Sequence, residues 1–241
     1  MKSHRKTLGN NCEADLVIHY RDCILVFALY YSITGLYHTL LSRNWIFEST
    51  QTTLLFYVMR FILFCCFLFP LFFKGKMEML RLVNVQFPTF TKNQTGIIIG
   101  TILFVYCLLQ LEQLFSWSNQ SLRVNAFTEE IQAAFHLGLL FSALSFLTVT
   151  ITPAITEEIM FRGVLQTFLE QKYRPIFAVV ITALIFVLFH FDLAKSLSLF
   201  ASGILLGSIR YVTRNLWVCI VVHAGLNLTP WLSQLMIFLN K

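Results

Sequence analysis

The sequence predicts an all-α integral membrane protein, a polytopic helical bundle of about seven to eight membrane helices with short or broken helices in its C-terminal half. Three observations predict it. Apolar residues make up 57% of the 241 positions and charged residues only 12%, about half the charged share of a soluble domain. Phenylalanine alone supplies 25 residues, more than one compact water-soluble core accommodates. The apolar runs 23–41, 52–73 and 95–115 each approach the ~20 residues that carry a helix across a bilayer core. Helices are the expected element because lipid offers exposed backbone polar groups no partner.

The formal net charge is +6. In a soluble protein that excess would point to nucleic acid. Here the basic residues sit between apolar runs, so membrane topology explains them better and no nucleic-acid partner is expected. With a cytoplasmic N-terminus, Lys2, Arg5, Lys6 and Arg21 lie inside, as do Lys74, Lys76, Arg81 and Lys92, and then Lys172, Arg174, Arg210 and Arg214. Only Arg43, Arg123 and Lys195 fall in loops on the far side. The first apolar run follows a polar segment and is too long for a signal-peptide core, so it is expected to stay as the first span. The six cysteines show no metal-type spacing, and they read as small apolar fillers.

The chain reads as one continuous membrane domain in two parts: N-terminal transmembrane helices over residues 1–130 and a catalytic core over residues 131–241. The longest polar connection, 74–94, is expected to be a cytoplasmic loop. A single straight helix over 131–169 would far exceed a bilayer's thickness. Proline removes a backbone donor and crowds the preceding turn, so a break is expected near Pro153. The following apolar pieces, 176–191, 197–211, 216–228 and 231–239, are each shorter than a full span. Such pieces are tolerated where they face protein or a wet cavity.

That half also holds the ionisable cluster. Glu157, Glu158, Arg162, His190 and His223, with the polar Asn227, lie on apolar helices. Ionisable groups are costly in a membrane and by default mark a functional site. Glu158 precedes Arg162 by four residues, the favourable order for a helical ion pair, and Glu157 points about 100° away. One carboxylate is thus neutralised while the other stays free. His223 and Asn227 are also four apart and share a helix face.

A hairpin brings the pieces level. If the chain turns at 173–175, Glu157 and His190 both sit roughly 20 Å from the turn at 1.5 Å per residue. A second turn at 210–215 carries His223 and Asn227 to an overlapping height. The residue types then define the chemistry. A glutamate among apolar residues is suited to take a proton from water, and a neighbouring histidine helps hold that water. Another histidine and an asparagine amide suit an oxyanion. No serine or cysteine nucleophile is required.

Three elements, Glu157-Glu158-Ile-Met-Phe-Arg162-Gly163, Phe186-Val-Leu-Phe-His190 and His223-Ala-Gly-Leu-Asn227, occur in this order on apolar helices. Residues 152–228 thereby resemble the core of the CAAX-protease and bacteriocin-processing family (also called Abi), which includes the type II CAAX prenyl endopeptidases. The resemblance implies an intramembrane glutamic endopeptidase without metal or organic cofactor. It implies that Glu157 and His190 activate the hydrolytic water and that His223 and Asn227 form the oxyanion site. Glu158, Arg162 and Phe186 are then supporting motif residues. The resemblance covers about a third of the chain, and residues 1–130 match only as apolar spans. Where family members carry a glycine after the threonine before the last motif helix, this chain has Thr213-Arg214-Asn215.

Other polar residues carry plainer expectations. His38 and His136 are expected to bond backbone carbonyls. Arg60 is expected to pair with Glu112 or to reach the outer surface. Gly203-Ile-Leu-Leu-Gly207 is a small-xxx-small pattern expected to allow close helix packing within the protein.

The resulting expectation is an endopeptidase that cleaves a membrane-associated protein or peptide. By analogy with the family's uses, it serves CAAX processing or bacterial peptide maturation and bacteriocin immunity. The compact chain favours a bacterial plasma membrane. A zinc metallopeptidase, with two histidines and a glutamate as ligands, is a second reading, although the sequence lacks a His-Glu-x-x-His helix and asparagine is a poor zinc ligand. A non-catalytic immunity or scaffold protein is a third. A transporter is weaker, because the halves show no internal repeat.

Overall fold

The computed structural model describes residues 90–116, 126–190 and 196–240, with the single positions Ala28, Val58 and Ile62. The expected first two spans, most of the 74–94 loop, His38, Arg60 and the Glu112 side chain lie outside the described residues. Numbered from the first described element, the helices are α1 (Lys92–Ser116), α2 (Ala126–Leu137), α3 (Leu139–Lys172), α4 (Pro175–His190), α5 (Ser196–Thr213) and α6 (Leu216–Leu239). Among the described residues, α3, α5 and α6 are long and apolar enough to cross a membrane, and α4 is apolar but shorter.

The expected break near Pro153 is absent. The chain breaks at Gly138, whose φ of 103° suits a residue without a side chain. Helix α3 then runs on through Pro153. It does so because Leu147–Ile151 is a π-helical stretch immediately before the proline, with the Thr152 N–H reaching back to the Leu147 carbonyl. The wider turn leaves room for a ring that a regular α-turn would crowd. A second π-helical stretch, Glu158–Gln166, follows within the same helix.

The expected pieces 216–228 and 231–239 are likewise one helix, α6, with Pro230 inside it. The proline's neighbours make side-chain bonds back to their own helix: Thr229 Oγ1 donates to the Gly225 carbonyl at 3.1 Å and Ser233 Oγ to that of Thr229 at 3.0 Å. At its start, Asn215 Oδ1 accepts the Trp217 N–H at 3.0 Å, an N-cap. One residue earlier, Arg214 has φ 51°, the left-handed region that favours glycine.

The hairpin turn falls where the spacing puts it. Helix α3 ends at Lys172, Tyr173 is extended, and Pro175 opens α4. Helix α5 packs tightly on α4. A Cβ on Gly203 would lie 2.9 Å from the Ala183 Cβ, and one on Gly207 would lie 2.9 Å from Val179 Cγ1. The small-xxx-small pattern therefore serves packing inside this chain. On the other side of α6, the Gly225 position is filled by Ile102 of α1. His136 is exposed and sets its ring edge-on to Phe238, with centroids 5.1 Å apart, in place of the expected carbonyl bond. The core that frames the site is Ile159, Met160, Phe161 and Val164 of α3, Phe186 of α4, and Leu216 and Ile220 of α6.

Candidate active site

Helix α3 supplies the two carboxylates at a change of helical winding. Glu157 ends the α-helical turn Thr152–Glu157, and Glu158 opens the π-helical stretch. Single π-turns occur often at functional sites because they re-aim side chains without ending the helix.

Glu158 is fully buried, and so is its partner. Arg162 Nη1 donates to Glu158 Oε1 at 2.8 Å, and both side chains are 0% exposed. Charges this deep need further partners. Arg162 Nη2 donates to the Gly203 carbonyl of α5 at 3.2 Å. The guanidinium also lies 4.8 Å from the centre of the Phe186 ring, a cation–π distance. Glu158 Oε1 is shared with α6, where His223 Nδ1 donates to it at 2.7 Å.

The second carboxylate is held differently. Glu157 Oε2 is buried and has no protein hydrogen-bond partner. It stands 3.7 Å from His223 Nε2 and 3.8 Å from His190 Nε2. Both separations exceed a direct hydrogen bond and fall where a bridging molecule is the natural filler. His190 Nδ1 donates to the Phe186 carbonyl at 2.8 Å, which leaves Nε2 to face Glu157. The Phe186 and His190 rings lie 4.4 Å apart. Side-chain exposure rises from 7% at His223 through 11% at Glu157 to 25% at His190, so the site is reached from the His190 side.

The structure thus brings Glu157, His190 and His223 together from α3, α4 and α6, with Glu158, Arg162 and Phe186 behind them. Asn227 follows His223 by one turn on α6 and is half-buried. Sequence reasoning treated Glu158 as a partner of Arg162 alone and missed that it also holds His223. It also missed Gln166, which is fully buried. Gln166 Nε2 donates to the Gly207 carbonyl at 3.0 Å and to Glu170 Oε1 at 2.9 Å. The available signal was the matched spacing: Arg162 and Gln166 are four apart, as are Gly203 and Gly207.

A family model described as type II CAAX prenyl endopeptidase Rce1-like matches residues 139–229. This chain carries an Rce1-like type II CAAX prenyl endopeptidase domain. The Rce1-like domain begins at the start of α3 and ends in the middle of α6, so it takes in all three sequence elements and every site residue described above. Membership implies an intramembrane protease of the CAAX type, and with three helices able to span the chain is a multi-pass integral membrane protein. No curated protein and no solved structure matches the chain. Among the described residues, no three His, Cys, Asp or Glu side chains are grouped as a metal-binding set.

Proposed function

We propose that this chain is an intramembrane endopeptidase in which Glu157 and His190 activate a water and His223 and Asn227 stabilise the oxyanion. The observation that carries the reading is the position of Glu157 Oε2, buried, without a protein partner, and 3.7–3.8 Å from the Nε2 atoms of both histidines. A water bridging Glu157 and His190 would donate one proton to each acceptor. That polarises its oxygen toward a carbonyl carbon entering from the His190 side.

The steps balance within the residues present. Water oxygen bonds to the peptide carbon as Glu157 takes a proton. The carbonyl electrons move onto oxygen. When the tetrahedral species collapses, the C–N bond breaks and the Glu157 proton passes to the leaving nitrogen. In this reading the bond from His223 Nδ1 to Glu158 Oε1 fixes the ring so that Nε2 faces the reacting atoms, where a hydrogen on it would serve the oxyanion. The Asn227 amide, one turn further along the same helix, is the second donor in this reading.

The substrate class that fits the domain is a membrane-bound CAAX protein or peptide. The test is cleavage of an internally quenched prenylated CAAX peptide by the full chain in liposomes. An unprenylated control peptide and the Glu157→Gln variant are run in parallel. Product formation with wild type alone supports the reading. If the biological effect of the chain survives Glu157→Gln, a non-catalytic immunity or scaffold role takes its place. Metal content of the purified, active protein decides between this mechanism and a zinc peptidase. Chelators and serine- or cysteine-directed reagents are expected to leave turnover unchanged. Asn227→Ala is expected to lower kcat by roughly 10²–10³, the usual cost of one oxyanion donor, with a smaller change in KM. A wild-type kcat for that variant would remove Asn227 from the oxyanion site. In the proposed orientation the α3–α4 and α5–α6 turns and the N-terminus are cytoplasmic, a reading supported by the basic residues at those turns. Cysteine-accessibility labelling from each side of the membrane checks that orientation.

A further inference from the structure

We propose that Gly203 is a positioning residue of the active site, acting through Arg162 and Glu158 on His223. The inference rests on the proposed peptidase reading for its kinetic consequence but not for its structural one. A continuous chain of contacts joins the two ends. The Gly203 carbonyl accepts from Arg162 Nη2 at 3.2 Å. Arg162 Nη1 donates to Glu158 Oε1 at 2.8 Å. The same carboxylate oxygen accepts from His223 Nδ1 at 2.7 Å. His223 then presents Nε2 toward Glu157 at 3.7 Å. Helix α5 contributes no side chain to the catalytic cluster, yet its backbone fixes one arm of the guanidinium that orients it.

Glycine is required at this point for a stated reason. A carbonyl reaches a side chain on a neighbouring helix only if the backbones approach closely, and small residues allow that approach. A Cβ at Gly203 would meet not only the Ala183 Cβ at 2.9 Å but also its Cα at 3.0 Å. The Cα is backbone and cannot rotate away, so α5 must move off α4. The carbonyl moves with it. One turn further on, Gly207 repeats the device: its carbonyl accepts from Gln166 Nε2 at 3.0 Å, and Gln166 follows Arg162 by four residues on α3. The two rungs bind α5 to the π-helical stretch Glu158–Gln166, whose first residue is the carboxylate that holds His223.

The unpartnered acceptor nearest to a freed Arg162 is Glu158 Oε2, and turning to it would itself re-aim that carboxylate. The Arg162 Nε is already buried without a partner, and the fully buried side chain has no water to turn to. A displaced guanidinium therefore shifts the Glu158 carboxylate and with it the His223 ring. Misplacing a catalytic group by about 1 Å costs on the order of 10²-fold in rate.

The test uses the full chain, labelled with nitrogen-15 histidine and reconstituted in lipid nanodiscs. His223 and His190 signals are assigned from single His→Asn variants. In wild type, the His223 Nδ1 proton should show a strong hydrogen bond to a carboxylate. Gly203→Ala is expected to shift the His223 signals while those of the exposed His136 stay in place. It should also lower kcat on the quenched prenylated peptide by roughly tenfold to a hundredfold, with KM changed less. Adding Ala183→Gly, which removes the nearer of the two clashing atoms, is expected to restore part of both. Arg162→Lys keeps the charge beside Glu158 but loses the two-armed geometry. It is expected to shift His223 in the same way, and it decides the matter if Gly203→Ala does not fold. Wild-type His223 signals in folded Gly203→Ala or in Arg162→Lys would overturn the proposal. If the wild-type protein itself cleaves no peptide, shifted His223 signals in the variants would uphold the positioning chain and refute the peptidase reading.

Discussion

Glu157→Gln is expected to abolish peptide cleavage while leaving the protein folded and inserted. The substitution keeps the side chain's size and its oxygen acceptor but removes the base that receives the water's proton in the proposed mechanism. General base catalysis contributes about 10²–10⁴-fold. The loss should approach or exceed the upper figure, because here the same group also returns the proton to the leaving nitrogen. Stability should change little. Glu157 Oε2 makes no protein hydrogen bond to lose, and its nearest nitrogens stand 3.7 and 3.8 Å away. Turnover of the quenched prenylated peptide and thermal unfolding of the same sample are the two measurements. Near-wild-type cleavage by a folded Glu157→Gln protein would sink the mechanism.

Arg162→Ala is expected to produce the largest loss of stability of any single change at the site. It strips the charge partner from a carboxylate that is 0% exposed. Removing one member of a buried pair costs about 3–5 kcal/mol, chiefly because the other charge is left unpaired. The Gly203 carbonyl loses its donor and the Phe186 ring its cation in the same step. His223 still donates to Glu158, which tempers the effect without removing it. Glu158→Gln should be milder, because the amide oxygen can still accept from Arg162 or His223. Folded yield and the unfolding midpoint in detergent measure both variants. If each were as stable as wild type yet inactive, Glu158 and Arg162 would belong to the chemistry and not to its support.

Much of the site was legible because its geometry is helical and local. The four-residue spacing of Glu158 and Arg162 is a direct statement about one helix face, and the buried pair follows it at 2.8 Å. The hairpin also follows from the sequence. Equal distances along two helices from a Tyr173–Pro175 turn place Glu157 and His190 at one height, and their side chains stand 3.8 Å apart. The structure departs from the sequence expectation at two prolines: the break expected near Pro153 is absent, and the pieces 216–228 and 231–239 join through Pro230. Proline's cost is a missing donor and a crowded preceding turn. Before Pro153 a π-turn absorbs both, and at Pro230 the helix simply continues through the ring. Whether such compensation occurs depends on packing that composition does not record.

The sequence by itself determined that this is a helical membrane protein, that its polar cluster lies in the second half, and which residues share each helix face. Those properties follow from apolar run lengths and from 3.6 residues per turn. Only the tertiary structure decided that Glu158 serves two partners, with Arg162 on its own helix and His223 from α6 meeting at one oxygen. It alone decided that Gly203 and Gly207 offer their carbonyls to Arg162 and Gln166. Contacts between helices depend on which faces meet and how closely their backbones approach. At this site the missing side chains of two glycines set that approach.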